Sequence, residues 1–92
     1  MKRIAPPNAR HVTEDFLEDY RSLNDEARLK IHDAIEAVAL NLEGDGWDLK
    51  AVNGVESNDF SIKINQNLRL HYTKYLGIVT LLRIIEDFDD IL

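Results

Sequence analysis

Lys63, Arg69 and His71 lie in two short runs, Phe60-Ser61-Ile62-Lys63-Ile64-Asn65 and Leu68-Arg69-Leu70-His71-Tyr72-Thr73-Lys74-Tyr75, in which apolar and polar residues alternate. That two-residue period belongs to a strand with one face buried and one face wet. The alternation predicts Ser61, Lys63 and Asn65 on the wet face of the first strand, with Arg69, His71 and Thr73 on the wet face of its neighbour. Two fixed cations beside an imidazole, the side chain whose ordinary titration range spans neutral pH, make a surface suited to a polyanion and to proton transfer. The same three residues also suit a plainer role: charges that solubilise an exposed sheet and protect its edges, with His71 a surface histidine beside them.

The breaks Asn65-Gln66-Asn67 and Tyr75-Leu76-Gly77 are short and rich in turn formers. They predict that the two runs and a third, Ile78-Val79-Thr80-Leu81-Leu82-Arg83-Ile84-Ile85, form an antiparallel meander joined by hairpins. The third run is interrupted only by Thr80 and Arg83, as expected of a central strand covered on both sides. Arg83 either joins Lys63 and Arg69 on the wet face or snorkels from the strand's end.

Charge is distributed unevenly. The net charge of -6 opposes indiscriminate binding to nucleic acid. Glu14 to Asp48 holds 11 acids against Arg21, Arg28 and Lys30, a balance of -8, whereas Phe60 to Ile85 holds Lys63, Arg69, Lys74 and Arg83 and no acid, a balance of +4. Acid returns at the end with Glu86, Asp87, Asp89 and Asp90. The acidic helices read as solvated surface, and the acid-free stretch reads as a sheet facing a polyanion. With 92 residues and 45% hydrophobic composition the chain fits one soluble domain. There is no cysteine, so neither a disulfide framework nor a thiolate metal site is available. No apolar run approaches the ~20 residues that span a bilayer. The first ten residues carry charge but no apolar segment of a signal peptide, so a cytoplasmic location is expected.

Pro6-Pro7 predicts an extended lead-in over residues 1-12, with Arg10-His11-Val12 available as a short edge strand. Thr13 before Glu14 and Asp15 signals a helix start, and Phe16, Leu17, Tyr20 and Leu23 give that helix an apolar face to about Leu23. Asn24 before Asp25 and Glu26 signals a second helix. Its stripe Ala27, Ile31, Ala34, Ile35, Val38 and Leu42 runs to Gly44, a natural left-handed cap. His11, His32 and His71 lack metal-ligand spacing, and neither a metal nor any other cofactor is expected. The predicted class is α+β: an N-terminal helical hairpin (13-44), a loop (45-59) and an antiparallel three- to four-stranded sheet built on the meander (60-86), with an acidic tail (87-92). The helices cover one sheet face and leave the other open.

In this order and spacing, the helical hairpin, Leu49-Lys50 to Gly54, Phe60-Ser61-Ile62-Lys63-Ile64 and Leu68-Arg69-Leu70-His71-Tyr72 resemble the RelE/ParE superfamily of type II toxin–antitoxin systems. From Thr13 onward the resemblance spans nearly the whole chain. It implies a cytoplasmic toxin held by an antitoxin protein, as a dimer or an antitoxin-bound hetero-oligomer and away from membranes. The toxin would act as a RelE/HigB-like, ribosome-dependent endonuclease of messenger RNA. The alternatives are a non-catalytic ParE-like inhibitor of DNA gyrase and a degenerate toxin-fold binding module. Metal-free RNA cleavage needs a base for the 2'-hydroxyl, an acid for the leaving oxygen and cations for the developing charge.

Lys63 and Arg69 match the family's basic positions, and Lys50, Lys74 and Arg83 are expected to join them in contacting phosphate, the last two as the other cations of the acid-free stretch. Several features depart from the pattern. Ser61 stands where RelE-type members carry a further lysine. The tail Glu86-Asp87-Phe88-Asp89-Asp90-Ile91-Leu92 lacks their closing arginine and tyrosine. Set beside the Asp-Tyr-His ending of HigB-like members, Asp87-Phe88-Asp89 keeps the aspartate and loses the phenol and the imidazole, which leaves His71 as a relocated base and Asp87 as the remaining tail group.

Overall fold

The computed structural model of the protein describes residues 9–52 and 58–86, in the order β1 (Ala9–Val12), α1 (Glu14–Arg21), α2 (Asp25–Ala39), β2 (Lys50–Val52), β3 (Asp59–Lys63), β4 (Leu68–Tyr75) and β5 (Ile78–Glu86). The expectations placed on residues 1–8, on 53–57 and on the tail 87–92 fall outside the described residues.

Both helix starts follow from their capping residues. The Thr13 hydroxyl accepts from the Phe16 amide at 3.0 Å, and the Asn24 side chain accepts from the Ala27 amide at 2.9 Å, each relieving a backbone donor that has no partner inside the helix. Thr13 also joins the sheet, since its hydroxyl donates to the Leu82 carbonyl at 2.8 Å and its amide to that of Leu81.

The second helix does not run to Gly44. It ends at Ala39, and Asn41 takes the left-handed conformation (φ 62°), with the Leu42 amide returning to the Ala37 carbonyl and the Asn41 amide to that of Val38. These are the paired closing bonds of a glycine-type helix stop made with asparagine, which tolerates that region. Leu42 therefore leaves the stripe and is exposed.

Five strands form one sheet in the order β1-β5-β4-β3-β2. The meander β3-β4-β5 is antiparallel as predicted, but the sheet is mixed and exceeds the expected three or four strands. β1 runs parallel to β5, pairing Ala9 with Ile78 and Val12 with Leu81, and β2 emerges from the expected loop to pair Lys50 with Ser61. Beyond the end of β1, α1 takes over the edge of β5. The Asp19 carboxylate accepts from the Ile84 amide at 2.9 Å, as a neighbouring strand's carbonyl would.

Phe16, Ile31, Ala34 and Val38 from the helices meet Ile62, Ile64, Leu70, Tyr72, Val79, Leu81 and Ile84 from the sheet. At about 25 cal/mol per Å² of apolar surface, this burial is the main favourable contribution to folding. β5 is not covered on both sides as its composition suggested: Ile78 and Ile85 are exposed on the other face. The register shifts opposite His71 and Tyr72, which inserts one residue into β5. Leu81 and Ile84, three apart, thereby both reach the core, and the simple alternation is lost.

Candidate functional site

Lys63 is the direct register partner of Arg69, and His71 pairs with Ser61 on one side and Arg83 on the other. Opposed residues in a ladder share a face, so the cation pair and the imidazole lie together on the side away from the core. That grouping follows the alternation, but the expected wetness does not hold throughout. Ser61 and Arg69 are each only 5% exposed, and both had been expected on an open surface.

The segment entering β2 covers them. The Lys63 amide donates to the Trp47 carbonyl at 2.7 Å, which draws Trp47-Asp48 across the sheet. The Arg69 guanidinium then donates from Nε to Ser61 Oγ (3.0 Å), from Nη1 to Asp48 Oδ2 (2.9 Å), and from Nη2 to the carbonyls of Asp48 and Ser61. A buried guanidinium requires this degree of satisfaction.

Asp48 is the residue that sequence reasoning missed, having counted it among the acids of the helical half. Its backbone is left-handed (φ 50°), and its half-exposed carboxylate also lies 3.9 Å from Lys50 Nζ. The hydrogen bond from Arg69 holds its carboxyl below the usual carboxylate range; partial desolvation opposes this, and the charges of Lys50, Arg69 and Lys63 reinforce it. The legible signal was its place two residues before Lys50, whose pairing with Ser61 carries the preceding residues toward Lys63.

The remaining candidates scatter. Lys74 had been placed in the phosphate-contacting set, but it points to the helix side, where its Nζ bonds Glu43 at 2.7 Å and the Val38 carbonyl at 3.1 Å near the end of α2. Glu43 also accepts from the buried Tyr72 hydroxyl at 3.3 Å, and burial, followed by the Glu43 charge, pushes that phenol well above its ordinary range. Arg83 is exposed but forms a two-pronged pair with Asp19, at 3.1 and 3.0 Å, that ties β5 to α1. That bond depresses the Asp19 carboxyl, helped by the Ile84 amide, and keeps the guanidinium protonated above its usual range. Both cations are therefore committed to internal acids. His71 Nε2 is shut off from solvent and has no hydrogen-bond partner among the described residues, so that nitrogen is not presented as an open base. Asp87 lies outside the described residues.

The arrangement thus offers one carboxylate and three cations, Lys50, Lys63 and Arg69, on the sheet face opposite the helices, with Arg69 buried beneath the segment entering β2. It can bind an anion and neutralise charge that develops on it. Among the described residues no three His, Asp or Glu side chains are gathered to hold a metal ion, and no helix is long and apolar enough to cross a membrane.

No protein-family model matches the sequence, and no curated protein matches it. Solved structures do. The YoeB dimer of Staphylococcus aureus is similar with a TM-score of 0.71 at 20% identity, over 84% of this chain and 93% of that one. The archaeal RelE of a RelE-RelB complex from Pyrococcus horikoshii OT3 gives 0.74 at 8% identity, over 87% and 94%. A YoeB/ParE toxin from Agrobacterium tumefaciens gives 0.71 at 14% identity, over 86% and 98%. At such identities the likeness is one of fold, and it extends over nearly the full length of each neighbour: this chain has the α+β fold of the RelE-, YoeB- and ParE-type toxins.

Proposed function

We propose that the protein is the toxin of a type II toxin–antitoxin pair, acting in the cytoplasm and kept inactive in a complex with an antitoxin protein. The observation that carries this reading is the Lys63–Arg69 pair, set side by side on the face opposite the helices in a sheet with this fold. Neighbours of the same fold occur as toxin–antitoxin complexes, among them RelE-RelB and YoeB-YefM, which supports an antitoxin as partner. In the favoured mechanism the open face takes the backbone of messenger RNA on the ribosome. Lys63 and Arg69 offset the charge that builds on the phosphoryl oxygens as the 2'-hydroxyl attacks phosphorus and the 5'-oxygen leaves, taking its proton from water. Asp48 is a half-exposed carboxylate beside these cations, but its bond to Arg69 lowers its proton affinity and makes it a weak base for the hydroxyl proton. His71 Nε2 takes part only if its cover opens.

One observation favours a second reading, a non-catalytic inhibitor of the ParE kind. Arg69, Lys74 and Arg83 are all engaged by acids of the same chain, which leaves little free acid–base machinery. Expression of the chain alone separates the two. Growth arrest with fragmented messenger RNA, relieved by Lys63→Ala, supports the endonuclease. Arrest with intact messenger RNA and recovery of gyrase on the tagged chain supports the inhibitor. Absence of arrest overturns both.

A further inference from the structure

The turn between β4 and β5 carries a residue that the fold itself does not ask for. Leu76 and Gly77 both take positive φ, 49° and 79°, between the paired residues Tyr75 and Ile78, which makes a two-residue type I′ hairpin turn. Asparagine, aspartate or glycine suits the first of those positions, whereas a leucine there is strained by the approach of its Cβ to the following carbonyl. The same Leu76 is 82% exposed, and Tyr75 and Ile78 beside it are exposed as well. Lys74 ties this turn to the end of α2, since its Nζ bonds the Val38 carbonyl and Glu43. Just past that helix end Leu40 and Leu42 are exposed, and with Asp33, Glu36 and Ala37 they line a shallow cleft. Leu40, Leu42, Tyr75, Leu76 and Ile78 therefore leave one end of the molecule apolar, as at a surface made to be covered.

The rim of that surface is acidic. Asp33, Glu36 and Asp45 are exposed, the last following Leu42, whose carbonyl accepts its amide at 3.1 Å, and none of the three carboxylates has an ion pair among the described residues. The cations at this end are Lys74, already paired with Glu43, and Arg10, which lies beside Val79 on β1. Such a rim repels the phosphates of a nucleic acid, and a second copy docking by the same end would set acid against acid. It complements a segment with apolar anchors and basic edges. Asp33, Glu36, Ala37 and Leu40 lie three, four and seven residues along α2, a ridge of the kind against which another helix packs. We propose that the β4–β5 turn and the end of α2 form a docking surface for a basic amphipathic helix of another protein, with Leu76 as the side chain that enters between its apolar anchors. The surface lies at the other end of β4 from Arg69, and the proposal does not rest on the reading of the Lys63–Arg69 face.

The test uses the full chain and a fluorescein-labelled helical peptide of leucine and lysine, its leucines spaced three and four apart, with a leucine–glutamate counterpart; affinity is read by anisotropy. The lysine peptide is expected to bind about tenfold more tightly than the glutamate one. Leu76→Asn should weaken it by about tenfold, the loss of one buried leucine, while leaving the melting temperature unchanged or a few degrees higher, because asparagine suits the turn. Glu36→Gln should weaken it by about two- to threefold and reduce its salt dependence. Leu29→Asn, at an exposed leucine nearer the start of α2, should change neither affinity nor salt dependence. Equal affinity for the two peptides, full affinity in Leu76→Asn or Glu36→Gln, or a comparable loss from Leu29→Asn would overturn the proposal. So would a lower melting temperature in Leu76→Asn, since Leu76 would then serve the fold itself. A dimer seen by light scattering that Leu76→Asn dissociates would also overturn it, with a second copy as the occupant.

Discussion

Arg69 shows how one side chain can be read two ways. Its type and place suit a charge stabiliser, yet its burial and its hydrogen bonds to Ser61 and Asp48 make it a clamp between β3, β4 and the segment before β2. Arg69→Ala should lower unfolding stability by about 2–4 kcal/mol, from lost charged hydrogen bonds and lost packing of the side-chain stem, measured by urea titration. Loss of growth arrest in that variant would then report on folding as much as on chemistry. Lys63→Ala, at a half-buried cation, is the cleaner probe of function. Alternation placed Lys63, Arg69 and His71 on one face correctly, because strand period is a property of the chain itself. It could not show that Asp48, twenty-one residues before Arg69, would neutralise one of them, since that contact depends on a loop folding back over the sheet.

At the level of elements, the features legible in the sequence were those written in local chemistry. Thr13 and Asn24 each announced a helix by a capping side chain followed by two acids, and both caps form. The three strands of the meander were set by alternation and by short turns. Less visible were β2, only three residues long within a polar loop, and the parallel pairing of β1, which depends on a strand nearly seventy residues away. The bulge in β5 also hid from the pattern, because one inserted residue turns a simple alternation into an apparently continuous apolar run.

The stop of α2 offers a test. Asn41 holds the left-handed position, so Asn41→Val should cost roughly 1–2 kcal/mol in thermal or chemical denaturation, while Asn41→Gly should be neutral or slightly stabilising. Were Asn41→Val harmless, the pair of closing bonds at Ala37 and Val38 would not be what ends the helix.

Across the whole molecule, charge is arranged so that acids of the N-terminal half meet the cations of the sheet: Asp19 meets Arg83, Glu43 meets Lys74, and Asp48 meets Arg69. The sheet's formal surplus is therefore largely spent internally, which reconciles a cationic stretch with a chain of net charge -6. The pairing also fixes a pH dependence. Arg83 depresses the Asp19 carboxyl in the folded state, so this pair contributes stability above the ordinary carboxylate value of about 3.9, and the contribution is lost as pH falls through the depressed folded value. Asp19→Asn should flatten the acid limb of a stability–pH curve while changing little near neutrality beyond a constant offset. An unchanged acid limb would show that other carboxylates govern it.

The bond from Ile84 to Asp19 carries one more consequence. A rung of the sheet's edge is closed by a helix side chain and not by a strand, so freeing that amide requires α1 to withdraw Asp19, and with it Phe16 from the core, but breaks no rung between β4 and β5. The deuterium uptake of that single amide should therefore report detachment of α1 separately from the opening of the sheet itself.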